Sequence, residues 1–245
     1  MIDLLPAEFK RQIGRKGSFY GSMVWVGLFG LGVLIWAIAS NSATGDVATD
    51  SGTGLLTFAV ILSAIVVGAT AGSYDVAEGT MRYLVLTGRP RWQLVIVRVL
   101  ALPATVALIA LPAIGLTLLA TAIAGGTAPN GTELFDLFYS PLMSGMLYGT
   151  LSLAIGMFLK SNGVAIAVAV VLNFAGLLIA GLIYEYVSQD LANGFFPIVA
   201  GVVIEREATT GTEATLSLGT SIAILIVWLI ALLGASLARV QRAEY

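Results

Sequence analysis

Apolar residues in this chain arrive in long unbroken runs, with polar residues gathered between them. Six runs stand out, at residues 19–40, 54–72, 99–124, 139–159, 163–184 and 217–238. Each is near the ~20 residues that a helix, rising about 1.5 Å per residue, needs to cross a hydrocarbon core of about 30 Å. The pattern predicts an all-α integral membrane protein with six transmembrane helices in a single domain over residues 1–245. The third run is the longest and holds Pro103 and Pro112, which membrane helices tolerate as kinks. A further run, Phe195–Ile204, reaches only about 15 Å as a helix. It is read as a re-entrant or interfacial segment before the last span.

Residues 1–18 show a different period. Leu5, Phe9 and Ile13 recur at i, i+4 and i+8, while Lys10, Arg11 and Arg15 lie elsewhere on the wheel, so the segment reads as an amphipathic helix. Such a helix lies on a leaflet with its basic side near anionic headgroups, or docks a partner, and the two roles are compatible. The first span ends in Ala37-Ile38-Ala39, which resembles a cleavage site. Its apolar run exceeds the 7–15 residues or so usual for a signal peptide, so the span is expected to be retained.

Composition sharpens the class. Hydrophobic residues make up 58% and charged residues 11%, against about 25% charged in soluble proteins, and mean hydropathy is +0.96. Cysteine and histidine are absent, which excludes disulfides, thiolate chemistry, haem ligation, histidine-based zinc sites and histidine acid–base catalysis. A pI of 5.1 excludes a broadly basic surface for nucleic acid. No phosphate loop of the form G-x-x-x-x-G-K-[ST] is present; Gly14–Ser18 is only superficially similar, and Gly27–Gly32 has the wrong spacing for a dinucleotide fingerprint. Neither H-E-x-x-H nor a buried carboxylate pair supports an intramembrane enzyme. No span carries a central ionisable residue, which argues against ion-coupled transport.

Charge also sets an orientation. With the N-terminus inside, the inner segments hold every basic residue except Arg206, while the outer loops collect Asp46, Asp50, Glu133, Asp136, Glu185, Asp190, Glu205, Glu207 and Glu213. The positive-inside rule therefore predicts a multi-pass protein of the cytoplasmic membrane with both termini cytoplasmic. The only sizeable inner loop is 73–98. It carries Asp75, Glu78, Arg82, Arg89, Arg91 and Arg98, together with apolar Leu84, Val85, Leu86 and Trp92. Retention of the loop inside explains the arginines. A charged loop with apolar teeth also suits docking to a soluble partner.

The order of these parts resembles the permease subunits of type-2 ATP-binding-cassette (ABC) exporters. The likeness covers the whole chain in layout and is concentrated in the loop after span two. Glu78, Gly79 and Thr80 match that family's Glu-Gly-Thr, Leu84, Leu86 and Thr87 fit its leucine-rich turn, and Arg91 takes its arginine position. Arg98 stands where lysine is usual; Gly88 replaces the common proline, and Pro90 falls where serine is frequent. The resemblance implies that residues 73–98 form a coupling element for a separate cytosolic ABC ATPase, with Asp75, Glu78, Gly79, Thr80, Arg82, Arg89 and Arg91 at the contact. ATP and Mg would then be bound by that partner, and two permeases would pair as a homodimer or with a related chain. The implied activity is outward transport of a hydrophobic or amphipathic substrate. The alternative is a non-transporting immunity, sensor or assembly subunit that docks the same kind of ATPase.

Inside the membrane, Gly145, Gly149, Ser152 and Gly156 form a small-residue stripe at helical spacing, suited to close helix packing within the chain or at a dimer interface. Gly27 and Gly30 of span one read the same way. Asn173, Tyr148 and Trp228 lie well inside their spans and serve either packing or a substrate pathway.

Overall fold

The computed structural model describes residues 4–40, 45–79, 90–123, 130–159, 161–188, 192–194, 196–205 and 217–242. Its helices are α1 (Leu4–Gly14), α2 (Lys16–Ser40), α3 (Gly45–Ala77), α4 (Arg91–Ile123), α5 (Gly131–Phe158), α6 (Asn162–Tyr186), α7 (Phe196–Glu205) and α8 (Leu218–Arg242). No strand occurs among the described residues. Among the described residues six helices, α2 to α6 and α8, are long and apolar enough to cross a membrane, matching the six runs.

The helix ends differ from the runs. Residues 73–77 continue α3 and residues 91–98 open α4, so both ends of the expected loop are helical. Hydropathy locates the apolar slab, whereas i→i−4 hydrogen bonding carries a helix on into the polar margin. Caps then stop it. Glu78 N–H donates to the Tyr74 carbonyl at 2.9 Å, and Gly79 follows at φ +68°, a left-handed residue of the kind that ends helices. At the start of α5, Asn130 Oδ1 accepts from the Thr132 and Glu133 amides at 2.9 and 3.0 Å. The Glu133 carboxylate reaches back to Asn130 N and Nδ2 at 3.1 and 2.7 Å. This reciprocal box starts the helix at Gly131 rather than at 139.

The chain divides into two compact units. The first comprises Met1–Gly68 with Gln93–Gly149. Its core includes Val26, Leu56, Val60, Ile65, Leu102 and Ile109, all nearly inaccessible. Close approach depends on glycine: a Cβ on Gly30 would stand 2.9 Å from the Ala113 Cα, and one on Gly145 would collide with Val106. Gly149 meets Ala64 and Leu102 at ordinary contact. Gly27, by contrast, faces open space.

The second unit comprises Ala69–Trp92 with Thr150–Tyr245. Here α3 and α5 nearly touch backbones. A Cβ on Gly72 would collide with the Leu153 carbonyl, and one on Gly156 would lie 2.5 Å from the Ala69 carbonyl. Ser73 donates to the Ala69 carbonyl at 2.8 Å and meets Asn162 Oδ1, at the start of α6, at 3.2 Å. Helix α7 is about 15 Å long, half a hydrocarbon core, and packs against α6 and α8. Trp228 of α8 donates from Nε1 to the Gly194 carbonyl at 2.9 Å and sets its ring edge-on to Phe196 at 6.3 Å. These contacts pin the short helix.

Candidate functional site

Helix α1 reveals what its wheel concealed. Its buried residues are Glu8 and Gln12, while Leu5 is exposed and Phe9 and Ile13 are half-buried. A polar face turned inward requires polar partners, and α4 supplies them. Arg98, only 2% exposed, places Nε 3.9 Å from Glu8 Oε1; that distance makes an ion pair rather than a hydrogen bond. Gln12 Nε2 donates to the Arg98 carbonyl at 3.2 Å, and Thr105 Oγ1 donates to Gln12 Oε1 at 2.7 Å. Arg11 adds a 3.4 Å ion pair to Glu8 from the flank.

The spacing makes the clasp two-pronged. Glu8 and Gln12 are one turn apart on α1, and Arg98 and Thr105 are two turns apart on α4. Buried charge is tolerated only when paired, so Arg98 ties α1 to α4 two turns past Arg91, where α4 begins. Periodicity alone did not expose this, because Arg98 read as a loop residue. The available signal was a charged residue inside a stretch that is otherwise helical and apolar.

The other expected coupling residues fall in three groups. Asp75 lies in the last turns of α3 and is 3% exposed, so it is not on the surface as a contact residue should be. Glu78 and Gly79 form the exposed turn that ends α3, and Arg91 is the first residue of α4. Thr80, Arg82 and Arg89, with Leu84, Leu86, Thr87 and Gly88, lie outside the described residues.

Within the first unit Tyr148, Gly145 and Gly149 are buried in α5; within the second Ser152 and Gly156 are buried in the same helix. The small-residue stripe thus packs inside the chain. Asn173 is 7% exposed, and its Oδ1 has no hydrogen-bond partner among the described residues. Trp228 bonds the Gly194 carbonyl, two residues before α7, and meets Phe196 at its start. No group of three or more metal-ligating side chains occurs among the described residues.

A family model for the ABC-2 family transporter protein matches residues 26–245. No curated protein matches. The match spans nearly the whole chain and takes in all or part of each of the six helices long and apolar enough to cross a membrane. The chain therefore belongs to the ABC-2 transporter family, as a membrane-spanning permease subunit.

Proposed function

We propose that this permease works in an ATP-driven exporter, with residues 78–90 docking a separate cytosolic ATPase and α4 carrying the resulting motion into the membrane. The observation that supports this is the buried clasp of Glu8 and Gln12 on Arg98 and Thr105. A displacement delivered to the start of α4 moves α1 with it, because the two helices share a buried ion pair and two hydrogen bonds. Removing one member of a buried ion pair costs about 3–5 kcal/mol, enough to keep two helices together through a conformational cycle. The basic inner segments support a cytoplasmic position for this connection and both termini. The cargo is hydrophobic or amphipathic, in keeping with spans that carry no central charge.

The test is co-purification of the ATPase partner and substrate-stimulated hydrolysis for Glu78→Lys, with Arg206→Glu as control. Glu78→Lys inserts normally and loses one or both; like charges forced together in an interface cost several kcal/mol. Arg206→Glu retains both. Wild-type behaviour of Glu78→Lys would reduce the loop to a retention signal.

A further inference from the structure

We infer that a groove between α2 and α3 binds one anionic phospholipid, drawn from the leaflet nearest the start of α2. The groove is a cavity of about 300 Å³ in the first unit. Its floor on α2 is Gly17 and Gly21, where an added Cβ would meet nothing within 4 Å. Ser18, Ser22 and Ser63 bring hydroxyl groups to it, and Trp25, Leu62 and Val66 supply apolar walls.

Depth identifies the solvent. From Gly17 to Trp25 is eight residues, about 12 Å along the helix, so the groove lies within one leaflet of a core of about 30 Å. In water such a volume would hold about ten molecules, at roughly 30 Å³ each. Beside hydrocarbon there is no water to fill it, and an empty groove loses its packing contacts outright. Something amphiphilic fits better than something uniformly apolar, because Ser22 and Ser63 are 5% and 2% exposed and sit against the apolar wall. Ser63 Oγ reaches the Ser22 carbonyl only at 3.5 Å, at the weak limit of a hydrogen bond, and a better acceptor displaces that contact.

Charge selects the headgroup. Lys16 is exposed one residue before Gly17, and Lys10, Arg11 and Arg15 precede it within two turns. An acyl chain lies along Trp25, Leu62 and Val66, the ester and glycerol oxygens accept from the serines, and the phosphate meets Lys16. A second copy of the chain is the other occupant that a G-x-x-x-G row invites. Trp25 opposes it: Gly17, Gly21 and Trp25 stand at i, i+4 and i+8, so a half-exposed indole blocks a straight helix from following the glycines.

The experiment counts lipid adducts by native mass spectrometry on the intact chain, released from micelles containing equal phosphatidylglycerol and phosphatidylcholine. The wild-type chain retains one phosphatidylglycerol, favoured several-fold. Lys16→Gln lowers that preference about fivefold, the worth of one lysine near an anionic surface, without disturbing the fold. Gly21→Leu, whose Cβ meets nothing within 4 Å, fills the groove and loses the adduct, as does Gly17→Leu. Gly32→Leu, on the same helix and equally open but outside the groove, keeps it. An unchanged adduct in Gly21→Leu and Gly17→Leu would overturn the proposal, as would no lipid preference in the wild type. Separation of a dimer by Gly21→Leu with the lipid count unchanged would also overturn it, making the groove a helix seam.

Discussion

The Thr105 hydroxyl donates a 2.7 Å hydrogen bond to Gln12 Oε1 across 93 positions of sequence. Thr105 also reaches the Ala101 carbonyl at 3.1 Å, so its hydroxyl is held at the seam of α1 and α4. The pair accounts for a buried glutamine on a helix whose wheel advertises an apolar face elsewhere.

Thr105→Val should leave Gln12 Oε1 buried and unmet, at about 1–3 kcal/mol. Adding Gln12→Leu removes the stranded acceptor, so the double variant should cost less than the two single losses combined. Thermal midpoints of the four proteins in one detergent supply the cycle. Strict additivity would show that the two side chains act independently.

Gly72→Val should be far more damaging than Gly27→Val. The first drives a side chain into the Leu153 carbonyl, while the second meets nothing within 4 Å. Overpacking costs about 1–3 kcal/mol or more, and a fixed backbone cannot yield as a side chain does. Surface-like changes stay within about 0.5 kcal/mol. The yield of monodisperse protein and the thermal midpoint read the contrast; equal losses would contradict the α3–α5 contact.

Trp228→Phe should loosen α7 selectively. It keeps the ring against Phe196 and removes the donor to Gly194, a net loss of about 0.5–1.5 kcal/mol. Local opening of residues 196–205 should rise roughly twofold to tenfold. Amide hydrogen exchange reads this segment by segment, and an even rise across α8 and α6 would mean that the tryptophan supports the unit at large.

Single cysteines at Thr87 and Arg242 should react with impermeant reagents only from the cytosolic side. Those at Asp50, Asn130 and Glu207 should react from outside. The native chain contributes no background, having no cysteine. Labelling of residue 242 from outside would reverse the orientation of α8.

The helix centres were legible because bilayer thickness imposes a run length that composition cannot disguise. Helix ends were harder, since the slab stops at 72 while α3 runs on to Ala77. One end was readable: Asn130 three residues before Glu133 is a capping signature, and it sets the start of α5. Among the glycines, Gly27 and Gly30 look alike in sequence, yet only Gly30 meets a neighbouring backbone. Which glycine is needed depends on the approaching helix. The same holds for Glu8 and Gln12, whose role waits on Arg98 and Thr105, distant in the chain.

Gly79 separates two kinds of tolerance at adjoining positions. Nothing lies within 4 Å of where its Cβ would stand, so what restricts it is its own backbone at φ +68°, which costs other L residues about 1–2 kcal/mol. Glu78 beside it is exposed and free of that restriction. The charge presented at the end of α3 can thus be rewritten by substitution while the direction in which the chain leaves the helix stays fixed.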